Sequence, residues 1–440
     1  MKSPYFESLK LLIESRQALI AVVGLGYVGL PFAVEKAKVG FHVLGIEQNP
    51  IRSDRINRGE NYISDVDDGE LKAIVSSGHL KAYTDFTRIG DADVVIICVP
   101  TPLTKNLTPD LSYVENVSRN IAQHLRPGQL ISLESTTYPG TTDELIKPIL
   151  EASGEFKQGE DFFLAYSPER VDPGNQRYTT KNTNKVVGAS DPLSLDIATF
   201  FYKQTIEHVV TVSSAKAAEL VKVFENTFRA VNIALVNELA LLCDRIDLNV
   251  WEVLDAANTK PFGIMPFYPG PGVGGHCIPL DPHYLEWKAK EVNFTTRFIG
   301  LAGEINRRMP SFVRNKACRV LNTLGLAPSR SKILMVGVTY KKDLADWRES
   351  PAIDVIEALL KDETTLDYYD PYIPEITIAG HLFQSVMLTE DTLKTYDLVI
   401  ITTDHSSLDL DLLLRASKAI LDTRGLLRKL PDPNQKVTFL

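Results

Sequence analysis

The sequence around Cys277 is typical of a reactive thiol rather than of a core residue. It lies in the run PGPGVGGHCIPLDP over residues 269–282, after two glycines and His276 and before Pro279. A structural cysteine usually packs among aliphatic side chains, whereas flanking glycines expose backbone N–H groups that favour a thiolate or an oxyanion. The run therefore predicts a loop that carries a nucleophilic Cys277. A buried spectator thiol and a metal ligand are the alternatives. We expect no metal, because adjacent His and Cys side chains do not easily aim at one ion and no second thiolate is near in sequence.

Two polar side chains on an otherwise apolar helix are further candidates. Residues 213–244 contain no Pro or Gly and repeat apolar residues at helical spacing, which predicts one helix of about 30 residues. Lys222 and Asn226 are four residues apart, so they project from one face. A lysine and an amide are costly on such a surface unless they are partnered, and we expect them to hold reacting oxygens; a solvated face is the alternative.

Charged residues also follow predicted strands. Glu169 and Arg170 come after the apolar run at residues 162–166. Glu169 can act as a general base for a water, and the alternative is a surface salt bridge with Arg170. In the last third of the chain, cations at strand ends can meet phosphate oxygens, unless they are simply solvated. These cations are Lys341, Arg348 and Arg424.

A dinucleotide fingerprint stands near the start of the chain. Gly24, Gly26 and Gly29 form G-x-G-x-x-G between a predicted strand at residues 18–23 and a predicted helix at residues 30–39. The first glycine permits a tight turn, the second lets the backbone approach a pyrophosphate, and the third allows close packing of strand and helix. The pattern therefore predicts a dinucleotide site.

The acidic residue after the next predicted strand, at residues 42–46, selects the cofactor. Glu47 ends that strand, where a carboxylate accepts hydrogen bonds from ribose hydroxyls and repels a 2′-phosphate, so NAD is expected over NADP. Four more residues are predicted to contact the cofactor: Tyr27 and Val28 within the fingerprint, Arg52, and Thr101 at the end of the strand predicted over residues 93–99. Arg52 is the one nearby cation that weakens the preference for NAD, and its alternative place is against the adenine or the pyrophosphate. A plain strand end is the alternative for Thr101.

These elements imply two related α/β halves. Strands alternate with helices over roughly the first 200 residues, which predicts a doubly wound sheet. A second such pattern begins at Lys332, where MVGVTY parallels VVGLGY and DLVIITTD parallels DVVIICVP. We expect this second half to lack the glycines and to bind no dinucleotide. The predicted division is an N-terminal domain at residues 1–210, a helical region at residues 211–318 and a C-terminal domain at residues 319–440.

Bulk properties exclude several classes of protein. The chain has 440 residues, of which 44% are hydrophobic and 23% charged, as in ordinary globular proteins. A net charge of −9 argues against a general nucleic-acid binder. Four widely spaced cysteines fit a reducing compartment, so a cytoplasmic location is expected. The sequence contains no run of about 18 apolar residues, so it predicts no membrane span.

Several motifs in order along the chain resemble the nucleotide-sugar 6-dehydrogenase family, which comprises the UDP-glucose and UDP-N-acetylhexosamine dehydrogenases. The motifs are GLGYVGLP, TPLT, ESTTYPGTT, YSPERVDPG, AELVKVFENTFRAVNIALVNE, PGPGVGGHCIPLDPHYL and GVTYKKDLADWRESPA. The resemblance implies two Rossmann-like doubly wound domains joined by a long central helix and a small helical region, with the helix forming a homodimer. It also implies NAD-dependent oxidation of the C6 alcohol of a UDP-sugar to a uronic acid, through a thiohemiacetal and a thioester.

The resemblance assigns roles to matching residues. It implies that Cys277 is the nucleophile, Asp281 its partner, and Glu169 the base that hydrolyses the thioester. Thr136 would place a water, Lys222 and Asn226 would hold reacting oxygens, and Arg348 would contact NAD. The expected substrate-binding residues are Glu169, Arg170, Lys222, Asn226, Tyr268, Gly274, Lys341 and Arg424.

The expected substrate is UDP-N-acetyl-D-glucosamine. His276 and residues 260–268 resemble members that act on this sugar, and Pro173 stands where the UDP-glucose branch tends to carry a second glutamate. UDP-glucose and the galactosamine and mannosamine epimers stay open. Two other classes also stay open, namely a two-electron hydroxyacid dehydrogenase and a non-catalytic NAD-sensing protein.

Overall fold

The computed structural model of the protein describes residues 3–63, 66–104, 106–171, 177–275 and 278–440. The predictions for Pro173, His276 and Cys277 therefore lie outside the described residues. Two units divide the chain: the first is Met1–Glu225 with His283–Phe294, and the second is Asn226–Pro282 with Thr295–Leu440.

The first unit is built on an eight-stranded sheet. Its strands are β1 (Leu19–Val23), β2 (His42–Ile46), β3 (Leu80–Tyr83), β4 (Val94–Ile97), β5 (Leu130–Leu133), β6 (Phe163–Tyr166), β7 (Lys185–Ala189) and β8 (Val209–Val212). The strand order is β3-β2-β1-β4-β5-β6-β7-β8, and β6 pairs with β7 in the antiparallel direction while the other neighbours are parallel. The order of β1 to β6 is that of a dinucleotide-binding sheet.

Helices cover both faces of this sheet. They are α1 (Phe6–Glu14), α2 (Gly29–Lys38), α3 (Pro50–Asn57), α4 (Asp68–Ser76), α5 (Ser112–His124), α6 (Lys147–Leu150) and α7 (Pro192–Tyr202), with a 3₁₀ turn at Thr87–Asp91 and a π-helical turn at Thr142–Ile146. Alternate residues of β1 enter two different cores, Ile20 and Val22 on one face and Ala21 and Val23 on the other. Because side chains alternate along a strand, these apolar runs bury both faces, which confirms the predicted doubly wound sheet.

The predicted long helix is confirmed as α8, which spans Ala215–Arg245 and contains 31 residues. Three more helices follow it: α9 (Val250–Ala257), α10 (Asp281–Glu291) and α11 (Arg297–Thr323). None of the helices in the described ranges combines the length and the hydropathy needed to cross a bilayer.

The second unit contains a five-stranded parallel sheet of order β10-β9-β13-β14-β15 and a separate hairpin. Its strands are β9 (Lys332–Val336), β10 (Thr365–Tyr369), β11 (Glu375–Ile378), β12 (His381–Gln384), β13 (Leu398–Ile401), β14 (Ile420–Asp422) and β15 (Val437–Phe439), and its remaining helices are α12 (Pro351–Leu360), α13 (Glu390–Lys394) and α14 (Leu410–Ala416), with a 3₁₀ turn at Pro328–Arg330. Helices α11 and α12 pack on one face, and α13 and α14 on the other. The second Rossmann-like half is thus confirmed.

One expectation about this half is wrong. It does not lack all the glycines, because Gly337 follows β9 at the place that Gly24 takes after β1. Both residues have a φ of +88°, a conformation that side chains other than glycine rarely adopt. The tight turn is therefore retained, and only the second and third glycines of the fingerprint are replaced.

Candidate active site

The loop between β1 and α2 is shaped by its glycines. A Cβ atom added at Gly24 would lie 2.4 Å from the carbonyl oxygen of Cys98, and one added at Gly29 would lie 1.9 Å from the carbonyl oxygen of Gly24. Neither position can therefore carry a side chain. At Gly26, by contrast, no described atom lies within 4 Å of an added Cβ. The backbone of Gly26 thus faces open space, which fits the close approach of a pyrophosphate.

Glu47 lies beside this loop and is only 7% exposed. One carboxylate oxygen accepts the backbone N–H of Leu25 at 3.2 Å, and the other accepts that of Asn49 at 2.9 Å. The guanidinium of Arg52 lies over the ring of Tyr62, 5.5 Å from its centroid. A buried carboxylate next to an open glycine loop fits the ribose of a dinucleotide.

The remaining predicted cofactor residues of the first unit surround the same edge of the sheet. Tyr27 is 41% exposed, and Val28 precedes α2 as its N-cap. The hydroxyl of Thr101 donates to the backbone oxygen of Thr136 at 2.7 Å, and the backbone oxygen of Thr101 accepts from the hydroxyl of Tyr284 at 2.5 Å. The structure therefore brings Thr101 and Thr136 together at the carboxyl ends of β4 and β5, where ligands bind in such sheets.

A buried charge cluster contains Glu169. One oxygen of its carboxylate accepts the backbone N–H groups of Arg170 and Val171 at 2.8 and 2.7 Å, and the other accepts from Nζ of Lys185 at 3.3 Å. Burial raises the pKa of Glu169, but Lys185, the N–H of Val171, the charge of Lys222 and the N–H of Arg170 outweigh it and hold the pKa below its usual value. Glu169 is therefore a half-buried carboxylate whose ionised form is favoured by its surroundings.

Lys185 also donates to Glu134 at 2.8 Å, and Glu134 accepts from the hydroxyl of Tyr202 at 2.9 Å. Burial raises the pKa of Glu134 although Lys185 opposes the shift. The pKa of Lys185 is raised despite burial, because two carboxylates face it. Glu134 and Lys185 were not singled out from the sequence. The available signal was their position, because Glu134 directly follows the apolar strand β5 and Lys185 begins the apolar strand β7.

Arg170 does not form the surface salt bridge with Glu169 that was the alternative for this pair. Its guanidinium contacts Glu225 at 2.5 Å and donates to the backbone oxygen of Asn184 at 2.6 Å. Arg170 pairs with Glu225, whereas the carboxylate of Glu169 pairs with Lys185.

In the second unit, Asn226 and Asp281 meet. The side-chain amide of Asn226 donates to the carboxylate of Asp281 at 2.5 Å, and the two residues are 7% and 3% exposed. The structure thus brings together two of the predicted catalytic residues, which are distant in sequence. Gly274 precedes the undescribed Cys277 and lies against another loop, since an added Cβ would be 2.8 Å from the backbone oxygen of Glu349 and from Cβ of Tyr340.

The other predicted substrate residues of this unit have partners of their own. The hydroxyl of Tyr268 donates to Asp255 at 2.7 Å, and Nε of Arg424 lies 3.1 Å from a carboxylate oxygen of Asp404. An added Cβ at Gly270 would be 2.7 Å from Nη1 of Arg424, so this arginine lies beside the loop that precedes Gly274.

Lys341 and Arg348 lie on the segment that follows β9. The backbone oxygen of Lys341 accepts from the hydroxyl of Thr339 at 2.9 Å. Arg348 holds both carboxylate oxygens of Asp346, at 2.9 and 2.7 Å. The predicted contact of Arg348 with the cofactor stays a prediction.

An open glycine loop on a doubly wound sheet, beside the buried carboxylate of Glu47, is typical of a dinucleotide-binding site. The matches to known families are more specific. Three models of the UDP-glucose/GDP-mannose dehydrogenase family match the chain: the NAD binding domain over residues 18–206, the central domain over residues 216–308 and the UDP binding domain over residues 334–429. The chain belongs to this family, and it is a nucleotide-sugar dehydrogenase that uses NAD and a UDP-sugar.

Similar proteins are named for three N-acetylated sugars. The chain is 36% identical to an NDP-N-acetyl-D-galactosaminuronic acid dehydrogenase of Ralstonia nicotianae, with 92% of this chain and 96% of that protein covered. It is 34% identical to a UDP-N-acetyl-D-glucosamine 6-dehydrogenase of Pseudomonas aeruginosa, with 88% and 90% covered. The solved structure of a UDP-D-ManNAc dehydrogenase from Pyrococcus horikoshii superposes with a TM-score of 0.86 at 33% identity, covering 96% of this chain and 98% of that one.

Proposed function

We propose that the protein oxidises the C6 alcohol of UDP-N-acetyl-D-glucosamine to the uronic acid, which then serves surface-polysaccharide synthesis. The balanced reaction is R–CH2OH + 2 NAD⁺ + H2O → R–COO⁻ + 2 NADH + 3 H⁺. The observation that carries the proposal is the ionised Glu169 carboxylate, which is held by Lys185 and two backbone N–H groups. A two-electron alcohol dehydrogenase needs no base for a hydrolytic water, whereas hydrolysis of a thioester does.

The residues divide the reaction between them. NAD, when bound, accepts a hydride from C6 in each of the two oxidations. The thiolate of Cys277 adds to the C6 aldehyde to give a thiohemiacetal, which the second oxidation converts to a thioester. Glu169 takes a proton from water, the resulting hydroxide adds to the thioester carbonyl, and the C–S bond breaks to return the Cys277 thiolate. Lys222 and Asn226 stabilise the oxygen that becomes negative, with Asp281 orienting the amide of Asn226 at 2.5 Å.

The choice of sugar rests on a narrower basis than the reaction. His276 and residues 260–268 resemble members that act on the N-acetylglucosamine substrate. Relatives of similar identity are named for galactosaminuronic acid and mannosamine, so the epimers are the competing candidates for the same chemistry.

The test is a panel of UDP-sugars in which NADH and uronate are both measured. We expect two NADH per uronate and the highest kcat/KM for UDP-N-acetyl-D-glucosamine. The variant Cys277→Ser should abolish acid formation, while Cys318→Ser, a half-buried cysteine on α11, should keep it. One NADH per sugar would instead identify a two-electron dehydrogenase, and NAD binding without turnover of any UDP-sugar would identify a non-catalytic protein.

We also propose that α8 forms a homodimer. The support is a set of apolar side chains that this helix leaves exposed, because such side chains are usually covered in a functional assembly. They are Leu220, Phe224, Phe228, Leu235 and Leu242. Sedimentation should give twice the monomer mass for the wild type and a smaller mass for Leu235→Glu; a monomeric wild type would contradict the proposal.

A further inference from the structure

A buried carboxylate and a half-buried one share one buried ammonium in the first unit. The side chains of Lys185 and Glu134 are 5% and 0% exposed, and that of Glu169 is 16% exposed. Buried charges are costly unless they are paired. The charges of Lys185 and Glu134 alone would cancel, so the presence of the second carboxylate, that of Glu169, needs another explanation.

Lys185 is also anchored by polar groups other than Glu169. Its Nζ lies 2.8 Å from Glu134. Glu134 in turn accepts from the hydroxyl of Tyr202 at 2.9 Å, and that hydroxyl is 2.8 Å from the hydroxyl of Ser132. The ammonium is thus fixed from the side of β5 and α7, and Glu169 meets it at 3.3 Å.

The opposite oxygen of Glu169 is fixed as well, by the backbone N–H groups of Arg170 and Val171. The carboxylate is therefore held at both oxygens. We infer that Lys185, anchored by Glu134, is a positioning residue that orients the carboxylate of Glu169 for the hydrolytic half of the reaction. This inference rests on the proposed function, because only thioester hydrolysis gives Glu169 a water to activate.

The charges that face this cluster decide its pH dependence. Lys185 on β7 and Lys222 on α8 favour the ionised form of Glu169, and Glu134 after β5 opposes it. Two further groups lie near Glu134. Burial lowers the pKa of Lys36 on α2 well below its usual value, and burial raises that of Cys98 after β4. Without Lys185, two buried carboxylates face each other, and the pKa of Glu169 must rise.

The experiment compares the hydrolytic step with the oxidations that precede it. In Lys185→Met, we expect the acid limb of the steady-state rate to move to higher pH by about one unit, so that turnover at a pH well below the wild-type limb's midpoint falls about tenfold relative to the wild type. The burst of NADH in the first turnover should stay within about twofold of the wild type, because it precedes hydrolysis. Lys157→Met, which removes an exposed pair with Glu160, should change neither quantity.

Two further variants separate positioning from mere charge balance. If Lys185 only neutralises Glu134, then Glu134→Gln/Lys185→Met removes both charges and should restore the wild-type pH profile. We expect this double variant to recover the melting temperature of the wild type but to keep a shifted acid limb, and Lys185→Arg to move the limb back towards that of the wild type. These variants also provide the readout if Lys185→Met alone fails to fold.

The outcomes distinguish this inference from the proposed function. A wild-type enzyme that forms one NADH per sugar and no burst overturns both. A wild-type enzyme that forms two NADH per uronate, together with a double variant of unchanged pH profile, overturns only the role of Lys185.

Discussion

The loops after β1 and β9 share the same backbone hydrogen bonds, but only the first leaves open space beside its backbone. Gly24 donates its N–H to Ile46 at 2.8 Å, and Gly337 donates to Tyr369 at the same distance. The acidic residue after the neighbouring strand accepts the next backbone N–H in both halves, at 3.2 Å for Glu47 and 2.8 Å for Asp370. The same carboxylates also accept from the residue two positions after them, at 2.9 Å in each case.

The difference lies in what fills the loop. Gly26 has no described atom within 4 Å of an added Cβ, whereas Thr339 takes its place in the second half and is 2% exposed. His405, which is buried, accepts the N–H of Asp343 at 3.0 Å through Nδ1 and donates from Nε2 to Asp370 at 3.0 Å. The second loop is therefore closed by Thr339 and by His405, which follows β13.

This comparison teaches that the acidic residue is a loop anchor in both halves. A carboxylate after the second strand does not by itself indicate a dinucleotide site, because Asp370 accepts from backbone N–H groups equivalent to those that Glu47 accepts from, yet is covered by His405. The open position at Gly26 and the close approach at Gly29 are what distinguish the NAD-binding half.

The largest effect should come from the third glycine of the first loop. In Gly29→Ala the new Cβ would lie 1.9 Å from the backbone oxygen of Gly24, and we expect a loss of about 4 kcal/mol or more of unfolding free energy, together with loss of NAD binding. Gly26→Ala meets no described atom, so its stability should stay within about 0.5 kcal/mol while NAD binds roughly tenfold more weakly. Denaturant unfolding and NAD titration measure both. Unchanged NAD affinity in Gly26→Ala would break the comparison.

The second prediction concerns two buried carboxylates, Glu219 in the first unit and Asp370 in the second, whose contributions to the unfolding free energy should depend on pH with opposite signs. Glu219 accepts from the N–H and hydroxyl of Thr142 at 2.8 and 2.6 Å and from the N–H of Gly140, and burial raises its pKa to about 7 from 4.5. Between these values the folded state holds a proton that the unfolded state has lost. The stability that Glu219 contributes is therefore complete below pH 4.5 and is lost by about pH 7, a change of up to about 3 kcal/mol.

Asp370 should behave in the opposite way. Burial raises its pKa, but the hydrogen bond from His405 and the backbone N–H groups of Val338 and Tyr372 outweigh burial and keep the pKa below 3.8. Its contribution is present above that value and is lost on further acidification. Unfolding free energies at pH 5 and pH 8 should thus change less in Glu219→Gln than in the wild type, while Asp370→Asn should follow the wild type across this range. The same pH slope in Glu219→Gln and the wild type would refute this assignment.

The smallest effect concerns the closed loop. His405→Ala leaves the carboxylate of Asp370 and the N–H of Asp343 without their side-chain partner, which should cost about 1–3 kcal/mol of unfolding free energy. We expect UDP to bind a few-fold more weakly, because Lys341 lies on this loop, and NAD to bind as before. Calorimetric titration of UDP and NAD tests this, with the exposed His381→Ala as control. A loss of NAD affinity alone would show that the two loops do not act separately.

Much of this architecture follows from local patterns. The strands β1, β2, β5 and β9 and the helix α8 were predictable because apolar runs and helical spacing act over short distances. Lys185 and Glu134 were not, because their pairing joins residues 51 apart in sequence and arises only when β5 and β7 enter one sheet. His405 was missed for the same reason, since its partner Asp370 lies 35 residues away.

The most direct test of the account is the covalent state of Cys277 when hydrolysis is blocked. Glu169→Gln protein would be mixed with NAD and UDP-N-acetyl-D-glucosamine, quenched in acid, and analysed by intact-protein and peptide mass spectrometry. The account predicts a uronyl adduct on Cys277, with two NADH formed per active site. Formation of NADH with Cys277 unmodified throughout would contradict it.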